Sequence, residues 1–194
     1  MIRYSFITIL LLLASFVIQE FLPAFTQLHQ SRILLVQLVF LCSAVTVEQP
    51  TMLLLAFIGG FFWDAHSALG PHGGNPEIYT QQVESMGFGY SIILFGAMGF
   101  LMQGIQPLFK QGKWRVSALL SGISIFLYLA AEYITITFIR GDFTLTRATV
   151  LQMASTSLLT MLFSPLIFWL LSRIAKGCGH SIHPQAGRNR RRTH

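Results

Sequence analysis

Long apolar blocks, each close to the length of a membrane-crossing helix, dominate this sequence. A bilayer hydrocarbon core about 30 Å thick requires about 20 predominantly apolar residues in an α-helix. Several such blocks follow one another, and charged residues make up only 10% of the chain. Soluble domains carry about 25% charged residues, and disordered chains combine low hydrophobicity with high charge. The pattern therefore excludes both classes and predicts an all-α, polytopic membrane protein with about six transmembrane helices.

Prolines and polar stretches set the expected helix ends. Glu48–Pro50 makes a tight polar connection, which predicts an antiparallel hairpin of the second and third spans. A long polar loop is expected from His66 to Gly87, and Pro107 and Pro165 are expected to kink or end their helices. The expected spans are Tyr4 to Leu22, Ile33 to Val47, the run that begins after Pro50 and continues to Asp64, Phe88 to Phe109, Val116 to Ile139 and Val150 to Leu171.

The placement of Lys and Arg predicts the orientation, because positively charged loops stay in the cytoplasm. With the N-terminus inside, only Arg32, Arg140 and Arg147 lie outside. An even number of spans returns the chain to its starting side, so both termini are expected in the cytoplasm. The basic residues on that side are Arg3, Lys110, Lys113, Arg115, Arg173, Lys176, Arg188, Arg190, Arg191 and Arg192.

The chain is expected to divide into a transmembrane domain, residues 1–173, and a basic, disordered cytoplasmic tail, residues 174–194. Two readings of the tail remain open. Its basic residues can attract anionic lipid headgroups, at about 1 kcal/mol for each residue near the surface, or they can serve only to fix the topology. So short a basic run does not indicate nucleic-acid binding. The cluster consists of Arg188, Arg190, Arg191 and Arg192.

Three carboxylates lie at or near the expected outer side. Glu132 lies inside the fifth span, where an ionisable group is costly unless it is paired or hydrated. Glu20 and Asp64 end the first and third spans. Together they predict a polar cavity that opens outward, with Arg32 or Arg140 as possible partners. Alternatively, Glu20 and Asp64 are ordinary interfacial residues and Glu132 makes one structural hydrogen bond.

The sequence shows no arrangement typical of catalysis, which requires positioned nucleophiles, bases or metals. Asp64, His66 and His72 are metal-ligand types, but their spacing matches no usual zinc signature. The tail residues Cys178, His180 and His183 are also metal-ligand types, but two glycines and an expected disordered setting count against a metal site there. No glycine-rich phosphate loop is present. We therefore expect no enzyme activity, metal or cofactor.

Small residues four positions apart indicate where helices approach closely. Ala56 and Gly60 form such a pair in the third span, and Ala118 and Gly122 form one in the fifth. Small side chains at this spacing let the backbones of membrane helices come into contact. We expect these four residues, with Gly96 and Gly99 of the fourth span, to lie at helix–helix interfaces.

The third and fourth spans carry a family resemblance. The stretch from Leu53 to Asp64, followed by Gly87-Phe88-Gly89-Tyr90, resembles the bacterial rod-shape-determining protein family MreD. In that family an apolar span runs through a Gly-x-x-x-Asp element, matched here by Gly60 and Asp64. The loop between Asp64 and Gly87 is longer than the family pattern, so either Gly70 or Gly87 corresponds to the family's loop glycine.

The resemblance implies a non-enzymatic scaffold subunit of the cell-elongation machinery in the bacterial inner membrane. Its implied partners are an MreC-like single-span scaffold, an MreB-like actin homologue, and the glycosyltransferase and transpeptidase of lateral peptidoglycan synthesis. The family is also similar in architecture to the substrate-binding subunits of energy-coupling-factor vitamin transporters. The alternative function is therefore a small-ligand-binding membrane subunit that uses Glu20, Asp64 and Glu132. A membrane enzyme is the least supported class.

Overall fold

Within the part of the chain that the structure describes, six α-helices follow the apolar blocks of the sequence. The computed structural model describes residues 2–22, 31–69, 88–110, 114–140 and 146–178. Three helices, α1, α5 and α6, are long and apolar enough to cross a membrane, and α2 is a shorter apolar helix. The all-helical class is thus confirmed, and these helices indicate a membrane protein. The helices are α1 (Ile2–Glu20), α2 (Leu35–Thr46), α3 (Gln49–Leu69), α4 (Tyr90–Lys110), α5 (Trp114–Arg140) and α6 (Arg147–Gly177).

Successive helices run in opposite directions. At one end of the bundle, which we call the Glu20 end, α1, α3 and α5 finish and α2, α4 and α6 begin. There the Val36 backbone N–H donates to Gln19 Oε1 at 2.9 Å. At the opposite end, which we call the Arg3 end, the Tyr4 hydroxyl donates to Thr46 Oγ1 at 2.8 Å. These bonds join the C-terminus of α1 to the start of α2 and the start of α1 to the C-terminus of α2.

Helix α2 occupies the centre of the bundle. Every residue from 36 to 46 is buried, and α2 contacts each of the other five helices. A helix whose residues are mostly apolar on every side is expected to be enclosed in this way. At 12 residues, α2 is about 18 Å long at 1.5 Å per residue, which is shorter than a bilayer hydrocarbon core of about 30 Å.

Side chains of α1 and α6 accept hydrogen bonds from backbone N–H groups where the chain enters α2. The Leu34 N–H donates to Thr160 Oγ1 at 3.2 Å, and Gln19 accepts from Val36 as described above. Ser31 and Ser155 share a hydrogen bond of 2.6 Å between their hydroxyls. Buried N–H groups at a helix start have no partner within the helix, so these bonds hold the entry segment, residues 31–34, against α1 and α6.

Helices α3 and α4 come into backbone contact at Gly60. A Cβ atom at this position would lie 2.5 Å from the Ile92 backbone nitrogen and 2.8 Å from the Ser91 carbonyl carbon. Backbone atoms cannot give way as a flexible side chain can, so only glycine permits this approach. Ala56, one turn earlier on α3, is also buried.

The interface between α5 and α6 combines a glycine with buried hydroxyls. A Cβ at Gly122 would meet the Met161 side chain, with Sδ at 2.7 Å. The Ser157 hydroxyl donates to the Gly122 carbonyl at 2.6 Å, and Ala118, one turn earlier, is buried. Gly96 of α4 differs, because a Cβ there would meet nothing within 4 Å.

Several helix ends differ from the sequence-based expectation. Helix α3 continues past Asp64 to Leu69, because no helix-breaking residue occurs before Gly70 and Pro71. Neither Pro107 nor Pro165 ends its helix, since both lie inside α4 and α6. The expected domain boundary at 173 falls within α6, which ends at Gly177. The basic cluster of the tail, Arg188, Arg190, Arg191 and Arg192, lies outside the described residues.

We expect Gly60→Ala to destabilise the protein by about 1–3 kcal/mol, because overpacking against a backbone forces two helices apart. Gly96→Ala is the matched control: it adds the same methyl group where space is open and replaces glycine by a better helix former. Thermal unfolding of both variants in detergent measures the difference. An equal effect of the two substitutions would contradict the tight α3–α4 approach.

Candidate ligand cavity at the Glu20 end

Asp64 joins the end of α3 to the start of α4. The Gly89 backbone N–H donates to Asp64 Oδ2 at 2.7 Å, and Gly89 directly precedes α4. A carboxylate at a helix N-terminus interacts favourably with the helix dipole. Gly89 has φ of 105°, a conformation that only glycine adopts at little cost. Gly60 and Asp64, spaced one helical turn apart, therefore both stabilise the α3–α4 pair: Gly60 permits the close approach, and Asp64 accepts a hydrogen bond from the start of α4.

Glu20 makes a different contact at the same end. Its Oε1 lies 3.2 Å from His66 Nε2, and the His66 and Glu20 side chains are 53% and 60% exposed. This is an ion pair only when the imidazole is protonated. An exposed pair of this kind contributes between about 0 and 1 kcal/mol, so it is a surface contact between the ends of α1 and α3.

A cavity of about 520 Å³ lies between α5, α6 and the segment that leads into α2. This volume falls within the range of small-molecule sites, about 300–1,000 Å³. Its apolar walls are Leu34, Leu129, Ile136 and Met153. Its polar lining consists of Arg32, Glu132, Tyr133, Thr149, Gln152 and Thr156.

Arg32 and Glu132 place opposite charges on the cavity wall without pairing with each other. Both line the cavity, yet no ion pair joins them. Arg32 is exposed and belongs to the entry segment, whereas Glu132 is half-buried on α5. Each charge therefore remains available to a bound molecule.

Two buried polar side chains lie deeper in the bundle than Glu132. Tyr128 is one turn from Glu132 on α5 and is 3% exposed, and Gln37 of α2 is 2% exposed. Gln37 is a neighbour of the Tyr128 hydroxyl, and within the described ranges neither side chain makes a hydrogen bond of regular geometry. Buried polar groups are usually satisfied, so this pair marks a polar region of the core behind the cavity wall.

Of the three carboxylates that the sequence groups together, Glu132 lines this cavity, and Glu20 and Asp64 do not. A cavity shared by all three stays a prediction. The cavity lies between α5 and α6, whereas Glu20 and Asp64 lie on α1 and α3 and contact His66 and Gly89. Of the two expected basic partners, Arg32 lines the cavity, and the side chain of Arg140 lies outside the described part.

The α6 wall of the cavity was missed in the sequence. Thr149, Gln152 and Thr156 all line it, and their spacing of three and four residues places them on one helix face. The same spacing is present in the sequence, but none of the three residues is ionisable, so the sequence alone did not indicate a binding site there.

No group of three metal-ligand side chains (His, Cys, Asp or Glu) occurs within the residues that the structure describes. Asp64 and His66 lie on α3, where each contacts a different helix end. His72, His180 and His183 lie outside the described residues. The cavity thus presents ordinary charged and hydroxyl side chains, which can bind a ligand by ion pairing and hydrogen bonding.

Comparisons of this chain with protein-family models, curated proteins and solved structures find no match.

We expect Asp64→Ala to destabilise the protein by about 1.5–3 kcal/mol, the range for a hydrogen bond to a charged group. Glu20→Ala removes a carboxylate from the same end of the bundle and is expected to cost less than about 1 kcal/mol. Asp64→Asn, which keeps a side-chain oxygen acceptor, should recover part of the loss. Chemical or thermal unfolding of the three variants checks this order, and a larger loss for Glu20→Ala would contradict it.

Proposed function

We propose that this chain is an integral membrane scaffold subunit of a bacterial cell-elongation complex and resembles the MreD family. The observation that supports the proposal most directly is the joint role of Gly60 and Asp64. These residues carry the family resemblance, and both bind α3 to α4. A scaffold requires a rigid arrangement of helices more than it requires reactive groups, and this element supplies such rigidity.

The proposal includes a bacterial inner-membrane protein with six spans and both termini in the cytoplasm. Arg3 lies in the first turn of α1, and Arg173 and Lys176 lie near the C-terminus of α6, so these charges gather at the Arg3 end. Arg32 and Arg147 lie at the Glu20 end, where α2 and α6 begin. Because basic residues are enriched on the cytoplasmic side, the Arg3 end faces the cytoplasm and the Glu20 end faces outward.

Exposed apolar helix faces offer contact areas for partners within the bilayer. Helix α1 exposes Phe6, Leu10 and Val17, and α3 exposes Phe57 and Phe61. In a bilayer such side chains pack against acyl chains or against another helix, and association there depends on close packing. An MreC-like single-span protein fits a surface of this type. An MreB-like filament would meet the Arg3 end, and the glycosyltransferase and transpeptidase would act alongside in the same membrane.

Under this proposal, cells that lack the protein lose their rod shape and become round. We expect deletion to convert rods to spheres, and both the wild-type gene and Glu20→Gln to restore rods, because Glu20 makes only a surface contact. Gly60→Val should fail to restore them, since its side chain meets the Ile92 backbone. Microscopy and co-purification with the MreC-like partner measure the result, and immunoblotting of membranes measures the amount of each variant. Persistent rod growth in a deletion strain that holds no second copy of the gene would overturn the proposal.

A second function is favoured by the cavity. Its volume of about 520 Å³ and its mixed lining suit a small-ligand-binding membrane subunit, similar to the substrate-binding components of energy-coupling-factor vitamin transporters. Such a subunit takes its ligand at the outer face and docks a coupling subunit at the cytoplasmic face. The cavity uses Glu132 but not Glu20 or Asp64.

Occupancy of the cavity is testable without knowledge of the ligand. We expect native mass spectrometry of the purified protein to show a retained small molecule or lipid. Ile136→Trp should reduce the bound fraction, because the larger side chain fills the cavity that Ile136 lines. Ile134→Trp makes the same change at an exposed position on α5 that does not line the cavity. An adduct retained equally by both variants would place the ligand elsewhere.

A further inference from the structure

The opposite charges of the cavity define the chemistry of its ligand. We propose that the cavity binds a zwitterion in which an anionic group is joined by a short linker to a primary ammonium group and carries an apolar body. Both a phosphoethanolamine lipid headgroup and a free amino acid with an apolar side chain share this chemistry. The inference rests on the second function proposed above, occupancy of the cavity, and does not depend on the scaffold role.

The anionic group of the ligand is bound at the entry segment. Arg32 lines the cavity there, and so does Leu34, the residue that directly precedes α2. Leu34 places the cavity next to the N-terminus of α2, whose partial positive charge favours an anion nearby, although the N–H groups of Leu34 and Val36 are already bonded to Thr160 and Gln19. A guanidinium group adds charge-assisted hydrogen bonds to a carboxylate or a phosphate.

The ammonium group of the ligand is bound by Glu132. This carboxylate lines the cavity from α5 and forms no ion pair with Arg32. A charged group within a membrane-spanning helix is costly unless it is paired or hydrated, and a ligand cation offsets that cost. Thr156 lies on the facing wall of α6, where its hydroxyl oxygen can accept a second hydrogen bond from the ammonium.

The same arrangement disfavours other ligand classes. A simple anion would be attracted by Arg32 but repelled by Glu132, and a divalent cation would meet one carboxylate and the repulsion of the guanidinium. Leu129, Ile136 and Met153 supply apolar walls, which accommodate acyl or side-chain carbon atoms. Only a molecule with both charges and an apolar body uses every part of the lining.

Lipid and small-molecule probes test the proposal on the purified full chain in detergent. The probes are phosphatidylethanolamine, phosphatidylglycerol, which lacks the ammonium, phosphatidylcholine, whose quaternary ammonium cannot donate hydrogen bonds, and the soluble zwitterions glycerophosphoethanolamine and leucine. We measure the shift of the unfolding midpoint and the concentration of half-maximal effect. Wild-type protein should prefer phosphatidylethanolamine to phosphatidylglycerol and to phosphatidylcholine by about tenfold or more, the effect of one charge-assisted hydrogen bond.

Matched variants assign the two charges. Glu132→Gln should abolish the preference for phosphatidylethanolamine over phosphatidylglycerol, and Arg32→Gln should weaken the binding of both lipids. Glu20→Gln, at the same end of the bundle but outside the cavity, should leave the preference unchanged. If Glu132→Gln folds poorly, Ile136→Trp fills the cavity and keeps both charges, and its loss of the lipid preference would show that the preference arises in the cavity.

Each outcome decides between sources or overturns the inference. Stabilisation by phosphatidylethanolamine alone assigns a lipid headgroup, and stabilisation by a soluble zwitterion assigns a free molecule. An equal response to phosphatidylethanolamine and phosphatidylglycerol would overturn the proposal that the ligand is a zwitterion. So would a preference that survives Glu132→Gln. Either result is compatible with a cavity that binds some other ligand. Absence of any response, together with no adduct in native mass spectrometry, overturns both the inference and the second function, while the scaffold function stands.

Discussion

Burial of α2 on every side requires all its polar backbone groups to be satisfied inside the protein. Within the helix, the regular i to i−4 bonds achieve this, but the first N–H groups have no such partner. Thr160 of α6 accepts from Leu34, and Gln19 of α1 accepts from Val36. The positions of α1 and α6 are thereby tied to the start of α2, and the remaining helices pack around the same central element. The entry segment that these bonds hold is also the segment that brings Arg32 to the cavity.

The α3–α4 pair shows a second constraint, which acts through the absence of a side chain. Gly60 lets two backbones touch, and Asp64, one turn later, binds the N–H of Gly89 at the start of α4. One contact is steric and the other is electrostatic, and together they fix both the separation and the axial position of the two helices. Tyr90 then donates its hydroxyl to Thr135 Oγ1 at 2.7 Å, which connects this pair to α5 close to Glu132.

The number of helices and most of their bounds could be predicted, because apolar blocks and polar breaks are local properties of the sequence. Helix α3 was placed too short because Asp64 and His66 resemble a helix end, although each is stabilised there by a tertiary contact, with Gly89 and Glu20. Gly60 was recognised as a packing residue from its spacing. Gly96 was not distinguished from it, since the space around a glycine depends on neighbouring helices. The sequence named Glu132 and Arg32 as residues of a polar cavity. That the cavity they line lies between α5 and α6 depends on how the helices are arranged, which the sequence does not show.

The unequal lengths of the helices have an electrical consequence. Helix α6, with 31 residues, is about 46 Å long at 1.5 Å per residue, while α2 is about 18 Å long by the same measure. In a bilayer, α2 spans only part of the hydrocarbon core, so the layer of low polarity along α2 is thinner than the lipid around the protein. A transmembrane voltage falls mainly across layers of low polarity, so the local field is steeper along α2 than in the surrounding lipid. A charge carried into the cavity reaches the edge of that field without crossing most of the membrane.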